Sequence, residues 1–172
     1  MGAGMKKTLI VVDMQNDFID GSLGTKEAQM IVENVRKKIA EYQKRGDEII
    51  FTRDTHGENY LDTPEGKKLP VKHCIRGTKG WEIAEGLEVP GCVYIDKPSF
   101  GFTHWNERNF EEIELIGLCT DICVVSNALI LKAMFPDAEI TVDAGCCAGV
   151  TPKTHQAALE TMKMCQIQVV GE

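Results

Sequence analysis

The stretch Ile116-Gly-Leu-Cys-Thr-Asp-Ile-Cys-Val-Val-Ser-Asn-Ala-Leu129 decides how the chain reads. It opens as the end of an apolar run, Glu112–Leu118, that predicts a buried strand. It continues into Val124–Met134, whose apolar residues run all round and predict a buried helix stopped at Pro136. Cys123 therefore falls at a strand-to-helix turn, on the first turn of the helix. Unpaired backbone N–H groups and the positive end of the helix dipole favour a thiolate there over a thiol. The same N–H groups are suited to hold the oxyanion formed when sulfur attacks a carbonyl. Taken alone, Cys123 also fits the description of a small buried hydrophobe, as most cysteines do.

Outward from this stretch the chain alternates between two periods. Thr8–Val12 predicts a first strand, and Lys26–Arg45 a helix with apolar residues at Ala28, Ile31, Val32, Val35, Ile39 and Tyr42, closed by Gly46. Further strands are predicted over Glu48–Thr52, Val93–Asp96, Glu139–Val142 and Gln168–Val170, with a short helix over Thr103–Phe110. A last helix starts at Thr151-Pro152, a cap followed by proline at the first position, and runs to about Met164. Strand and helix alternate throughout, which predicts an α/β fold with a six-stranded, mostly parallel sheet.

The 172 residues suit one domain over 5–172, with Met1–Gly4 read as a cloning remnant ahead of Met5. Hydrophobic residues make up 43% and no apolar run reaches membrane-spanning length, so no membrane partner is expected. A formal net charge of -7 argues against nucleic acid, which needs a basic face. No secretory leader is evident, so a cytoplasmic protein with its seven cysteines reduced is expected.

In a parallel sheet, ligands bind outside the carboxyl ends of the strands. Asp13 closes the first predicted strand, Asp54 follows the second, Lys97 follows the third and Cys123 follows the fourth. Each has a bland explanation as a turn former or solvated charge; together they predict one site. Asp13 is the expected base for the Cys123 thiol, later returning the proton to the leaving group, and Lys97 is the charge that holds the pair in register. The product of attack is a thioester, released by a water that Asp13 activates. A papain-like Cys–His layout, with His104 or His155, is the competing arrangement, disfavoured because neither histidine falls at a strand's carboxyl end. From Asp54 to Leu87 the chain is polar, Gly/Pro-punctuated and too long for an ordinary connector. Within it Asp54, His56 and His73 offer donors that suit Zn²⁺, Fe²⁺ or Mn²⁺, with Glu65 or water as a fourth ligand.

Val11-Val-Asp-Met-Gln-Asn-Asp-Phe18, Lys97-Pro-Ser-Phe-Gly-Phe102 and Gly117-Leu-Cys-Thr-Asp-Ile-Cys-Val124 resemble, in order, the three signature segments of the isochorismatase-like cysteine hydrolases, which include nicotinamidases. The resemblance runs from Met5 to the C-terminus. It implies a Rossmann-like three-layer fold and a triad of Asp13, Lys97 and Cys123. It also implies a cis peptide at Leu118–Cys119 and an oxyanion hole from the N–H groups of Cys119 and Cys123. It likens Asp54, His56 and His73 to a nicotinamidase metal site, with Glu65 matching a ligand of some members, and it implies a homo-oligomer, dimer or tetramer.

Nicotinamidases commonly carry tryptophan between the aspartate and the first histidine, where this chain has Thr55, and often an aromatic residue close before the second histidine, where it has Val71-Lys72. Phe18 and Phe102 are the expected flat surfaces for a substrate ring, while Trp81 and Trp105 are expected in core packing. The reading is a metal-containing amidohydrolase of nicotinamidase type, converting a small amide to acid and ammonia. The alternatives are a relative acting on a ureido, carbamoyl or biuret-like amide, and a non-catalytic binding protein on the same fold. Cys123 argues against isochorismatase activity itself, which cleaves a vinyl ether and needs no thiol.

Overall fold

The computed structural model describes residues 4–172, so Met1–Ala3 of the expected remnant lie outside the described residues. One sheet is built from β1 (Lys7–Val12), β2 (Glu48–Asp54), β3 (Val93–Lys97), β4 (Glu112–Leu118), β5 (Glu139–Ala148) and β6 (Gln168–Val170). Their order is β3-β2-β1-β4-β5-β6 and every neighbouring pair is parallel. Among the described residues, five α-helices accompany them: α1 (Asn16–Ile19), α2 (Lys26–Arg45), α3 (Pro64–Lys68), α4 (Val125–Met134) and α5 (Pro152–Met164). Among the described residues, no helix is long and apolar enough to cross a membrane.

The three layers follow from the two-residue period of the strands. Leu9 and Val11 of β1 point to one face and join Phe51, Ile116 and the apolar stripe Ala28, Ile31, Val35, Ile39 and Tyr42 of α2. Ile10 and Val12 point to the other face and join Leu115, Val142, Leu131 of α4, and Leu159 and Met162 of α5. Glu114 of β4 breaks the apolar pattern on the α2 face. It is buried, accepts from Tyr42 Oη at 2.7 Å and from Lys38 Nζ at 3.0 Å, and Lys38 reaches Asp143 at 2.9 Å. This fixes how α2 lies across β4 and β5.

Where the chain departs from the sequence reading, the reason is local. β5 runs on to Ala148, although Asp143 and Gly145 look like turn residues. Its register against β4 shifts between Leu115 and Gly117, and Cys146, Cys147 and Ala148 remain buried. The helix expected over Thr103–Phe110 is a single 3-10 turn, Trp105–Glu107. The Trp105 indole there packs edge-on against Phe102 and Phe110, with ring centroids 4.9 and 5.9 Å away. The single-turn helices α1 and α3 are too short to show a period in the sequence.

Two positions govern where the strand ends lie. Gly117 has φ 117°, and a Cβ there would sit 2.1 Å from the Val12 carbonyl oxygen, so β4 can approach β1 this closely only with glycine. At the start of α5, the Thr151 hydroxyl accepts from the Thr154 N–H at 3.1 Å, while the Thr154 hydroxyl accepts from the Thr151 N–H at 3.2 Å. That cap sets the helix carrying His155, whose Nδ1 lies 2.7 Å from Thr120 Oγ1 on the turn after β4. Thr151→Ala is expected to lower stability by about 0.5–2 kcal/mol, read from urea unfolding, with Thr151→Asn retaining most of it. Equal stability of Thr151→Ala and wild type would show that the cap contributes nothing.

Candidate active site

Asp13, Asp54, Lys97 and Cys123 lie at the carboxyl ends of β1, β2, β3 and β4, around the point where the strand order reverses between β1 and β4. Asp13 turns the chain out of β1 with φ 49°, a conformation that aspartate tolerates better than most residues. Its Oδ2 accepts from Lys97 Nζ at 2.7 Å and its Oδ1 from the Thr52 hydroxyl at 2.7 Å, and neither Asp13 nor Lys97 is exposed. Lys97 also donates to the Ser99 carbonyl at 3.2 Å.

Burial raises the Asp13 carboxyl above its ordinary range, against the opposing pull of Lys97. Burial alone would lower the Lys97 ammonium, but Asp13, together with Cys123 and Asp54, outweighs it and holds Lys97 above its usual value. The pair is therefore a proton acceptor of raised basicity tied to a cation that stays charged.

Cys123 sits on a π-helical turn, Thr120–Val124, that leads into α4. The Leu118–Cys119 peptide before it is cis, and the Cys119 carbonyl accepts from the N–H groups of Ile122 and Val124 at 3.1 and 3.0 Å. The thiolate expected from the helix terminus is corrected here. Cys123 is 4% exposed, and burial, reinforced by Asp13 beside it, pushes its thiol well above the ordinary range. This burial favours the thiol over the thiolate at Cys123. Cys119 is likewise pushed up to about 12 by burial, then by Asp121.

Four further donors converge beside the thiol. Asp54 Oδ2 lies 2.9 Å from His56 Nε2 and 3.4 Å from His73 Nε2, while Glu65 Oε2 lies 3.3 and 3.7 Å from the same two nitrogens. One ligand atom from each residue falls within 4.8 Å of all the others. A tetrahedral shell with bonds of about 2.0–2.1 Å has edges of about 3.3 Å, so this spacing fits one divalent cation. Two details strengthen the fit. His73 Nδ1 lies 2.8 Å from the Val71 carbonyl, which fixes the tautomer and aims the Nε2 lone pair at the other donors. Asp54 Oδ1 is buried with no hydrogen-bond partner among the described residues, a state that a bound cation would relieve. The His56, His73 and Tyr60 rings pack against one another with centroids 4.7–4.9 Å apart.

Cys119, Cys123, Asp54, Glu65 and His73 all line one cavity of about 260 Å³, whose apolar walls include Phe18, Leu69, Phe100 and Ile122. Phe18 is among the lining residues. Phe102 does not line the cavity: its ring turns to Trp105, and Phe100 supplies the wall two residues earlier. His104 and His155 are also absent from the lining, and His155 is occupied with Thr120. Trp105 is fully buried as expected, whereas Trp81 is only half-buried, with the Arg53 guanidinium 4.1 Å above its ring.

Several site-forming residues carried no readable signal. Thr52 and Tyr60 look like ordinary strand and loop residues. Gln15 and Asn127 are fully buried amides whose importance rests on contacts far apart in sequence. Asn127 donates to the carbonyls of Cys123 at 2.8 Å and Phe100 at 3.1 Å, and accepts from the Phe102 N–H at 2.8 Å. It ties the loop bearing Phe100 to the helix behind Cys123.

Known proteins share this arrangement of strands. An uncharacterized isochorismatase family protein of Bacillus subtilis is 32% identical over 143 residues, covering 73% of this chain and 78% of that protein. The crystal structure of a nicotinamidase/pyrazinamidase from Bacillus subtilis superposes with a TM-score of 0.85 at 28% identity, covering 96% of this chain and 100% of that one. A pyrazinamidase of Pyrococcus horikoshii in complex with zinc gives 0.83 at 28% identity, covering 97% and 99% of the two chains. The family model for the isochorismatase domain matches residues 7–171, and the chain belongs to that family.

Proposed function

We propose that the protein is a metal-dependent amidohydrolase of nicotinamidase type, releasing ammonia from a neutral heteroaromatic carboxamide through a thioester on Cys123. The observation that carries this reading is a shared cavity, in which Cys123 opens onto the same 260 Å³ space as Asp54, Glu65 and His73, between the rings of Phe18 and Phe100. The family relationship and the nicotinamidase and pyrazinamidase neighbours support it. The lining is mostly apolar, with no lysine or arginine in it, which suits a small neutral ring compound. The seven free cysteines suit a reducing compartment such as the cytoplasm.

The steps follow from the groups present. As sulfur attacks the carboxamide carbon, the Cys123 proton passes to Asp13, whose burial-raised basicity narrows the gap between donor and acceptor. The developing oxyanion is assigned to the backbone N–H groups of Cys119 and Cys123. Asp13 then protonates the departing nitrogen and ammonia leaves; Asp13 next draws a proton from the water that opens the thioester and returns it to the Cys123 sulfur as the acid is released. Lys97 remains charged throughout and keeps the carboxylate aimed. Asp54, His56, Glu65 and His73 would hold a divalent cation, zinc being the choice favoured by the neighbour, and when bound it would supply Lewis acidity toward a ring nitrogen. Phe18 and Phe100 would flank the ring and turn its carboxamide toward Cys123, so that the gain is one of positioning.

Three outcomes are expected. Cys123→Ala should abolish ammonia release, whereas Cys119→Ala should keep most of it, because the assigned contribution of Cys119 is a backbone N–H; an active Cys123→Ala enzyme would refute the nucleophile. Asp13→Asn keeps the shape and removes the acceptor, so kcat should fall about 10²–10⁴-fold with a smaller change in KM. Near-normal kcat would place the base elsewhere. Dialysis against a strong chelator should lower nicotinamide hydrolysis, with recovery on adding Zn²⁺, Mn²⁺ or Fe²⁺. Benzamide, the same shape without the ring nitrogen, should be a far poorer substrate, and equal rates for the two amides would remove the metal-anchored ring from the reading.

A further inference from the structure

The ligands Asp54 and His56 leave the sheet at a point where it has lost one edge. The register of β1 against β2 ends at Val12 and Thr52, and past that pair no strand lies on the β1 side of β2. The Gln15 side chain takes up the ladder instead. Its Oε1 accepts from the Asp54 N–H at 2.8 Å and its Nε2 donates to the Asp54 carbonyl at 2.9 Å, the paired exchange that a strand residue would make. The second Nε2 hydrogen goes to the Trp81 carbonyl at 2.8 Å. Trp81 is held in place because residues 82–84 lie along residues 14–16, with Asn16 N–H on the Glu82 carbonyl at 3.0 Å and Ala84 N–H on the Met14 carbonyl at 2.9 Å.

The Trp81 ring then reaches back to the residue between the two ligands. Its Nε1–H donates to Thr55 Oγ1 at 2.8 Å, and that hydroxyl donates onward to the Arg53 carbonyl at 3.1 Å. Arg53 closes the loop from above, stacked on the indole at 4.1 Å and on the Tyr94 ring at 4.6 Å, with its guanidinium bound to Asp96 at 2.6 and 3.3 Å. Residues 53–55 are thus gripped on both sides by groups that do not enter the cavity.

We propose that Trp81 is a positioning residue for the metal cluster, holding Asp54 and His56 at ligand spacing through its hydrogen bond to Thr55 and its carbonyl contact with Gln15. This rests on the reading of Asp54, His56, Glu65 and His73 as a cation site. The role is separate from catalysis, since Trp81 touches neither the cavity nor the reacting atoms. Its indole N–H restrains Thr55, and Thr55 has a ligand on each side. Loss of that restraint widens the range of separations between Asp54 Oδ2 and His56 Nε2, which the cation must then narrow on binding.

The test is Zn²⁺ affinity of the purified full chain, measured by competition with a chromogenic chelator. Trp81→Phe keeps an aromatic face beneath Arg53 while deleting the donor and part of the ring; Thr55→Val keeps the shape and deletes the acceptor. Each is expected to weaken Zn²⁺ binding about 10–100-fold, the usual effect of removing an outer-shell partner. Because both act on one bond, the double variant should be no weaker than the worse single variant, a non-additivity that two unrelated packing defects would not show. Urea unfolding of the metal-free proteins should give midpoints close to wild type. Single variants with wild-type affinity, a double variant whose losses multiply, or affinity lost only in step with metal-free stability would each overturn the role of Trp81. Failure of the wild-type protein to bind Zn²⁺ stoichiometrically, or undiminished binding by Asp54→Asn, would instead overturn the cation site itself and this proposal with it.

Discussion

A lysine and an aspartate with no exposure to water, 2.7 Å apart, set the terms for everything around them. Burying either charge alone would cost several kcal/mol, and removing one partner from such a pair typically destabilises by about 3–5 kcal/mol. The pair persists because Asp13 has a second donor in the Thr52 hydroxyl and Lys97 a second acceptor in the Ser99 carbonyl. The strand order makes the meeting possible. β2 lies between β1 and β3, so Lys97 spans the end of β2 to reach Asp13. Thr52, on that intervening strand, supplies the remaining bond.

The same burial explains why the reactive sulfur needs a partner rather than a helix terminus. The favourable dipole at the start of a helix contributes at most a few kcal/mol, and in a site closed to water the cost of an isolated anion exceeds it. Cys123 is pushed upward by burial, while Asp13 is raised by the same cause. Under the proposed mechanism a proton would pass between the two without creating net charge, and Lys97 would balance whichever partner is negative. A sequence argument based on the helix terminus alone predicts a thiolate at Cys123, which the packing opposes.

How much was legible depends on whether a feature is carried along the chain or across it. The apolar stripe from Ala28 to Tyr42 and the buried run Glu112–Leu118 are local, and both elements lie where the periodicity placed them. The four polar strand ends were readable because a parallel sheet gathers its carboxyl ends into one place. The donors in the long loop were recognisable as residue types, although nothing along the chain fixes the turns that bring Glu65 to within 3.7 Å of both His56 and His73. Phe102 was chosen for the cavity wall over Phe100 because the sequence gives no sign of the direction in which either ring turns. That direction is set by Trp105 and Asn127, from segments predicted independently. Gln15 was unreadable for a similar reason, since its partners are 39 and 66 residues away.

Asn127 has a consequence for how such a pocket can diversify. One carboxamide fastens the backbone of the Phe100 loop to the first turns of α4, yet the Phe100 ring itself is 41% exposed. The wall is therefore modular in its side chain and fixed in its main chain. Exchanging the ring for a smaller or polar group reshapes the space offered to a substrate without disturbing the sulfur. Lengthening or shortening the loop from Pro98 to Phe102 would pull on the anchor that also holds the Cys123 carbonyl. Lineages and engineers seeking new substrates on this scaffold are thus steered toward point replacements around the mouth and away from insertions in that loop.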